Sequence, residues 1–137
     1  MHARLDAPPE LVDRLREICR ALPESYEEDA WVGTRWCVRK KNFVHIVPIE
    51  DGWPPAYVKA VGSAADQTIL TFRSAGEELA ALTAQGPPFF KPVWWNDIVG
   101  VVLDDDTDWT EITELVSESY CLLAPAKLSS LVDRPGA

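Results

Sequence analysis

From Pro8 to Leu22 the apolar side chains Leu11, Leu15, Ile18 and Leu22 recur at helical steps, with Val12 and Cys19 beside them. That stripe predicts an amphipathic helix, ended by Pro23. Glu10 with Arg14 and Asp13 with Arg16 fall at pairing distance along its wet face, so these charges read as a solvated helix surface. After an acidic link, Glu24 to Asp29, the rhythm shortens to a period of two. Thr34 to Arg39 and Phe43 to Ile49 are β-rich runs around the polar turn Lys40-Lys41-Asn42, which predicts a hairpin. Alternation puts Trp36 and Val38 on one face and Arg35, Cys37 and Arg39 on the other.

Loop signals follow at Gly52 to Pro55, and Gln67 to Arg73 is a third strand. Ser74 with Glu77 has the spacing of a capping box, opening a helix through Leu79 and Leu82 towards Gly86. Gly86-Pro87-Pro88 is a firm break. Strand-like runs come next at Val93-Trp94-Trp95 and at Ile98 to Leu103. Asp108 with Glu111 then predicts the start of a helix that turns Ile112, Leu115, Val116 and Ser119 inward, and a short helix from Lys127 to Val132 follows. The expected order is α-β-β-β-α-β-β-α-α. Most strand connections are too short for a parallel crossover, so the reading is an α+β two-layer sandwich, an antiparallel sheet of about five strands with helices on one face.

A chain of 137 residues, 47% hydrophobic with six tryptophans, can bury a core of its own, and residues 1–137 read as a single domain. The three cysteines, Cys19, Cys37 and Cys121, are an odd number, widely spaced and without C-x-x-C pairing, which favours free thiols over disulfides or a zinc site. No leader-like segment opens the chain and no apolar run is long enough to span a bilayer, so a cytoplasmic location and no membrane partner are expected. The net charge of −9 argues against nonspecific binding to polyanions. Residues 1–50 nevertheless hold eight basic against nine acidic side chains, whereas 51–137 hold five against thirteen. A polyanion would have to approach through the first half.

The segment Val102-Leu103-Asp104, then Ile112, Leu115-Val116 and Ser119-Tyr120 with Lys127 beyond, is similar to the C-terminal signature of the MmcQ/YjbR-like family, a strand ending in Leu-Asp, a helix and a Ser-Tyr pair, and the resemblance covers nearly the whole chain. Lys91 and Trp95 stand where the family tends to carry a Lys and a Trp entering the last strand. The helix ending in Leu22-Pro23-Glu24 and the hairpin through Val38, Lys41 and Phe43 fall in the family order. The resemblance implies a fold like that of CyaY-like and secretion-chaperone α+β domains, and a "double wing" thought to bind DNA. Two departures stand out: a longer stretch between Trp95 and Leu103, and the strongly negative charge.

Two binding surfaces follow. Arg35, Arg39, Lys40 and Lys41 are the one place where four cations lie within seven positions, and a β-ribbon of that kind can lie along phosphates. Four such contacts would give weak, salt-sensitive DNA binding, and the same charges would also serve simply to keep a sheet edge soluble. Lys91, Trp95, Ser119, Tyr120 and Lys127 would converge if the last long helix packs over the final strands, offering a pocket to a small anionic ligand or a contact to a partner protein. The plainer account makes Trp95 and Tyr120 core residues with polar handles.

Asp104-Asp105-Asp106 and Asp108 lack the glycine and distal Glu of an EF-hand loop and read as a helix N-terminus, so no metal is expected. The histidines are His2, near the terminus, and His45, mid-strand. Neither has a nucleophile in an obvious elbow, and no glycine-rich phosphate loop is present. The expectation is a protein without catalytic residues or cofactor.

Overall fold

The structure is a computed structural model that describes residues 5–132. Its elements run α1 (Pro9–Arg20), β1 (Tyr26–Asp29), β2 (Thr34–Val38), β3 (Lys41–Ile49), α2 (Pro55–Val61), β4 (Gln67–Arg73), α3 (Gly76–Gln85), β5 (Phe89–Phe90), β6 (Ile98–Leu103), α4 (Trp109–Leu123) and α5 (Ala126–Ser129). The strands form one sheet in the order β1-β2-β3-β4-β6-β5, antiparallel at every pairing. The α+β class and the antiparallel sheet are as the pattern predicts.

Several details depart from that pattern. The acidic link is itself an edge strand, β1: Glu and Asp are poor strand formers, but on an edge their charge deters further pairing, and β2 supplies the partner. Val93-Trp94-Trp95 is not a strand. Pro92 precedes it, and the strand beside β6 is instead the two-residue β5, so among the described residues the sheet has six strands. Finally, the Gly52-Trp53-Pro54 break leads into α2, a helix of seven residues with Pro55 in its first turn.

The main core lies on the face covered by α1, α3, α4 and α5. Trp36, Val44, Ile46, Leu70, Phe72, Val99 and Val101 from the sheet meet Leu15, Leu82, Ile112, Val116 and Tyr120 from the helices. A β-bulge raises the yield of this face. Trp36 is opposite Val44 while Cys37 is opposite Asn42, so Phe43 is an extra residue, and both Phe43 and Val44 are buried in the same core. Asp108 caps α4, its side chain accepting from the N–H groups of Thr110 and Glu111. Ser74 does not cap α3, which begins after Ala75. Its hydroxyl donates to Glu78 instead, so the box expected with Glu77 is not formed.

Helices are not confined to one face. Val47, Ile49, Ile69 and Val32 form a second, smaller cluster on the opposite side, closed by Trp53 and by Tyr57, Val58 and Val61 of α2. Two glycines let the chain come close here. A Cβ on Gly33 would sit 1.9 Å from the Ile46 carbonyl oxygen, and one on Gly100 would sit 2.1 Å from the Phe90 ring, which lies flat across β6.

Candidate binding surface

The β2–β3 turn is a two-residue type I′ turn. Arg39 and Lys40 both take positive φ (49° and 67°), the twist that matches a hairpin, at a cost of about 1 kcal/mol for each non-glycine residue. Its cations are answered by acids from β1 and from the turn just before it. Arg35 Nε donates to Glu28 at 2.6 Å and Arg39 Nε to Glu24 at 3.1 Å. On α1, Arg16 holds Glu27 through two parallel bonds of 2.8 Å, which keeps the Glu27 carboxyl below its ordinary range. A continuous basic face joining α1 to the hairpin is therefore interrupted by β1. Lys40 and Lys41 remain exposed at the tip, without an ion-pair partner among the described residues.

Ser119 and Tyr120 are fully buried, and their polar atoms point inward. The Ser119 hydroxyl accepts from the Arg73 N–H at 2.7 Å and donates to the Phe43 carbonyl, stitching α4 to β4 and to the bulge in β3. Tyr120 donates to the Pro23 carbonyl at 2.6 Å, and its ring meets Phe43 edge-on. Lys91 and Trp95 are brought together, but through the Trp95 backbone and not its ring: the Lys91 ammonium donates to the carbonyls of Pro92 and Trp95 and so curls their loop. Lys127 stands exposed on α5, which packs on α4.

Arg73 joins these parts, although nothing in the sequence singles it out. Its guanidinium pairs with Asp97 at 3.1 Å, donates to the Asn42 carbonyl at 3.3 Å and lies 5.4 Å from the centre of the Trp95 ring. The cavity beside it, bordered by Asn42, Phe43, Thr71 and Ile98, is about 10 Å³, room for roughly one water and no ligand.

The conspicuous surface is aromatic. Trp31 is 72% exposed, Val93 90%, Trp95 55% and Trp94 39%. Two of them rest on the α2 region: Trp31 leans on Trp53 with centroids 5.0 Å apart, and Trp94 meets Tyr57 of α2 edge-on at 5.3 Å, with Val93 and Trp95 on either side of Trp94 in the chain. Tyr57 in turn meets His45. His45 Nε2 is 2.6 Å from the Val32 carbonyl oxygen, to which it donates, and burial holds the imidazole below its ordinary pKa. It is a packed, neutral side chain at the seam between the hairpin and α2. His2 lies outside the described residues. Spacing could not reveal this surface, because Trp31, Trp53 and Trp94 come from three separate loops. The tryptophan count was the one available signal.

An open groove of about 560 Å³ runs between the turn entering β5 and the loop from β6 to α4. It is lined by Pro87, Pro88, Phe89, Val101 and Ile112 and by Asp104, Asp106, Asp108 and Glu111, among others. No group of His, Cys, Asp or Glu among the described residues is arranged to hold a metal. The three cysteines are free thiols, and burial raises Cys37 to about 11. No helix among the described residues is long and apolar enough to cross a membrane.

A family model described as YjbR matches residues 20–122. Among solved structures, a Deinococcus radiodurans protein with a DUF419 domain superposes with a TM-score of 0.61 at 19% identity, over 92% of this chain and 90% of that one. A Pseudomonas syringae protein superposes with a TM-score of 0.59 at 12% identity, over 86% and 99%. At these identities the two structures speak to the fold alone. No curated protein matches the chain.

Proposed function

Because the chain belongs to the YjbR family, with the family model spanning residues 20–122, we propose that it is a binding protein without a catalytic step, and that it docks another protein through the tryptophan surface beside α2. One observation carries this reading: Trp31, Val93 and Trp95 stand more than half exposed next to Trp53, Tyr57 and Trp94. Isolated exposed apolar residues are ordinary, but a group of large aromatics is what interface centres are made of. The surface is also preorganised. Arg73 and Lys91 hold the loop that carries Trp94 and Trp95, so little ordering cost would remain on binding.

The test uses protein labelled with 5-fluorotryptophan. A partner recovered on wild-type protein and then purified should shift the Trp31 and Trp95 fluorine signals, and should lose at least about tenfold in affinity to a Trp31→Ser, Trp95→Ser variant. Equal affinity for the variant, or unmoved signals, would overturn the reading.

A second reading, weak DNA binding at the hairpin, is favoured by the exposed Lys40 and Lys41 at its tip. With Arg35 and Arg39 already paired, about two phosphate contacts are available, giving a log–log salt slope of roughly −2. Titration of duplex and single-stranded DNA decides it. No binding at low salt, or binding indifferent to Arg39→Glu with Lys41→Glu, rules it out.

A further inference from the structure

We infer that the groove between the β5 turn and α4 is a second docking site, separate from the tryptophan surface, and that its occupant is a basic, extended segment of another protein carrying apolar side chains. The first argument is where the charge lies. From Ser74 to Ala126 there is one cation, Lys91, against ten carboxylates, which amounts to the whole net charge of −9. Lys91 is turned away onto the carbonyls of Pro92 and Trp95. Among the described residues, no Lys or Arg lines the groove.

The second argument is which carboxylates are free to act. Asp108 is committed to capping α4, and Asp104 accepts from the Asp106 N–H at 2.8 Å. Asp106 and Glu111 are exposed on the rim, without an ion-pair partner among the described residues. The positive end of α4 opposes a bound cation, but it amounts to about half a charge against two full carboxylates, so attraction wins. The third argument is the floor. Phe89 and Ile112 give it an apolar base, which a purely ionic site would not need. The chain entering the edge strand β5 there is Pro87-Pro88, which has no N–H to offer, and the Phe89 N–H is already given to the Gly86 carbonyl, so the guest would be anchored by its side chains and not added as a strand.

The probe is a capped octapeptide alternating Arg with Leu, followed by amide NMR. Shifts should concentrate at Phe89, Val101, Thr107 and Glu111. Asp106→Asn with Glu111→Gln should weaken binding about tenfold, while the equal charge change Glu10→Gln with Glu50→Gln should cost about twofold or less. Replacing Leu by Ser in the peptide should also cost about tenfold. Equal losses from the two variant pairs, shifts spread over the surface, or no loss from the Ser peptide would overturn the inference. None of these changes touches Trp31 or Trp95, so failure here leaves the first site standing.

Discussion

The hairpin and the tryptophan loop sit on the same sheet and invert each other's appearance. The hairpin carries four cations in sequence, yet two are cancelled by Glu28 of the neighbouring strand and by Glu24 just before it. The loop from Lys91 to Asp97 has no run of like charge to mark it, yet it leaves Val93 and Trp95 facing water while Arg73 and Lys91 hold it in place. Charge is long-ranged and easily met by a partner from another strand. A large apolar surface has no such remedy short of being covered. The difference teaches that an exposed indole is a firmer sign of use than a run of cations.

That contrast can be strained at four points. The largest effect should come from Ser119→Ala, which leaves the Phe43 carbonyl and the Arg73 N–H unpaired in the interior. A loss of about 2–4 kcal/mol in urea unfolding is expected, and a loss below about 1 kcal/mol would mean the hairpin is not held from within. Next comes acid. The folded pKa of His45 lies below its ordinary 6.5, so just below that value the unfolded chain binds more protons than the folded one. Stability should therefore fall as pH drops below about 6.5, by at most about 1.4 kcal/mol per unit from this group. Comparing the pH profile with that of His45→Gln isolates it.

Smaller still, Glu24→Gln with Glu28→Gln should cost under about 1 kcal/mol, because both pairs are partly exposed. It should at the same time raise DNA affinity several-fold at low salt by unmasking Arg35 and Arg39; an unchanged affinity would show that cancellation is not what silences the hairpin. The smallest effect belongs to Trp31→Ser, expected within about 0.5 kcal/mol of wild type by thermal melting, since an exposed side chain contributes little to the fold. A large loss would make Trp31 a structural residue and dissolve the contrast.

Much of the scaffold was legible because it rests on periodicity. Leu11 to Leu22, the two hairpin strands and the inward stripe Ile112, Leu115, Val116 and Ser119 each announce themselves within one element. What escaped depended on tertiary context. Tyr26 to Asp29 becomes a strand only because β2 lies beside it, and α2 follows so many turn residues that its seven residues pass for loop. The surfaces were harder. Arg73 gains its role from Asp97, Asn42 and Trp95, residues that are neighbours only in the folded chain. Ser119 and Tyr120, which carry much of the family likeness, turn out to be internal ties; the likeness therefore reports the architecture more than what the surface recognises.

Those two ties also set an order of assembly. The Ser119 bond reaches back 76 positions to Phe43, and the Tyr120 bond 97 positions to Pro23. During synthesis the hairpin and the end of α1 would wait, with their carbonyls unanswered by protein, until α4 has left the ribosome. Contacts of such sequence separation slow folding, since a long loop must close before anything is gained. A fragment ending before Ser119 would keep the hairpin sequence and lose its anchorage, so the N-terminal half should not behave as an autonomous folding unit.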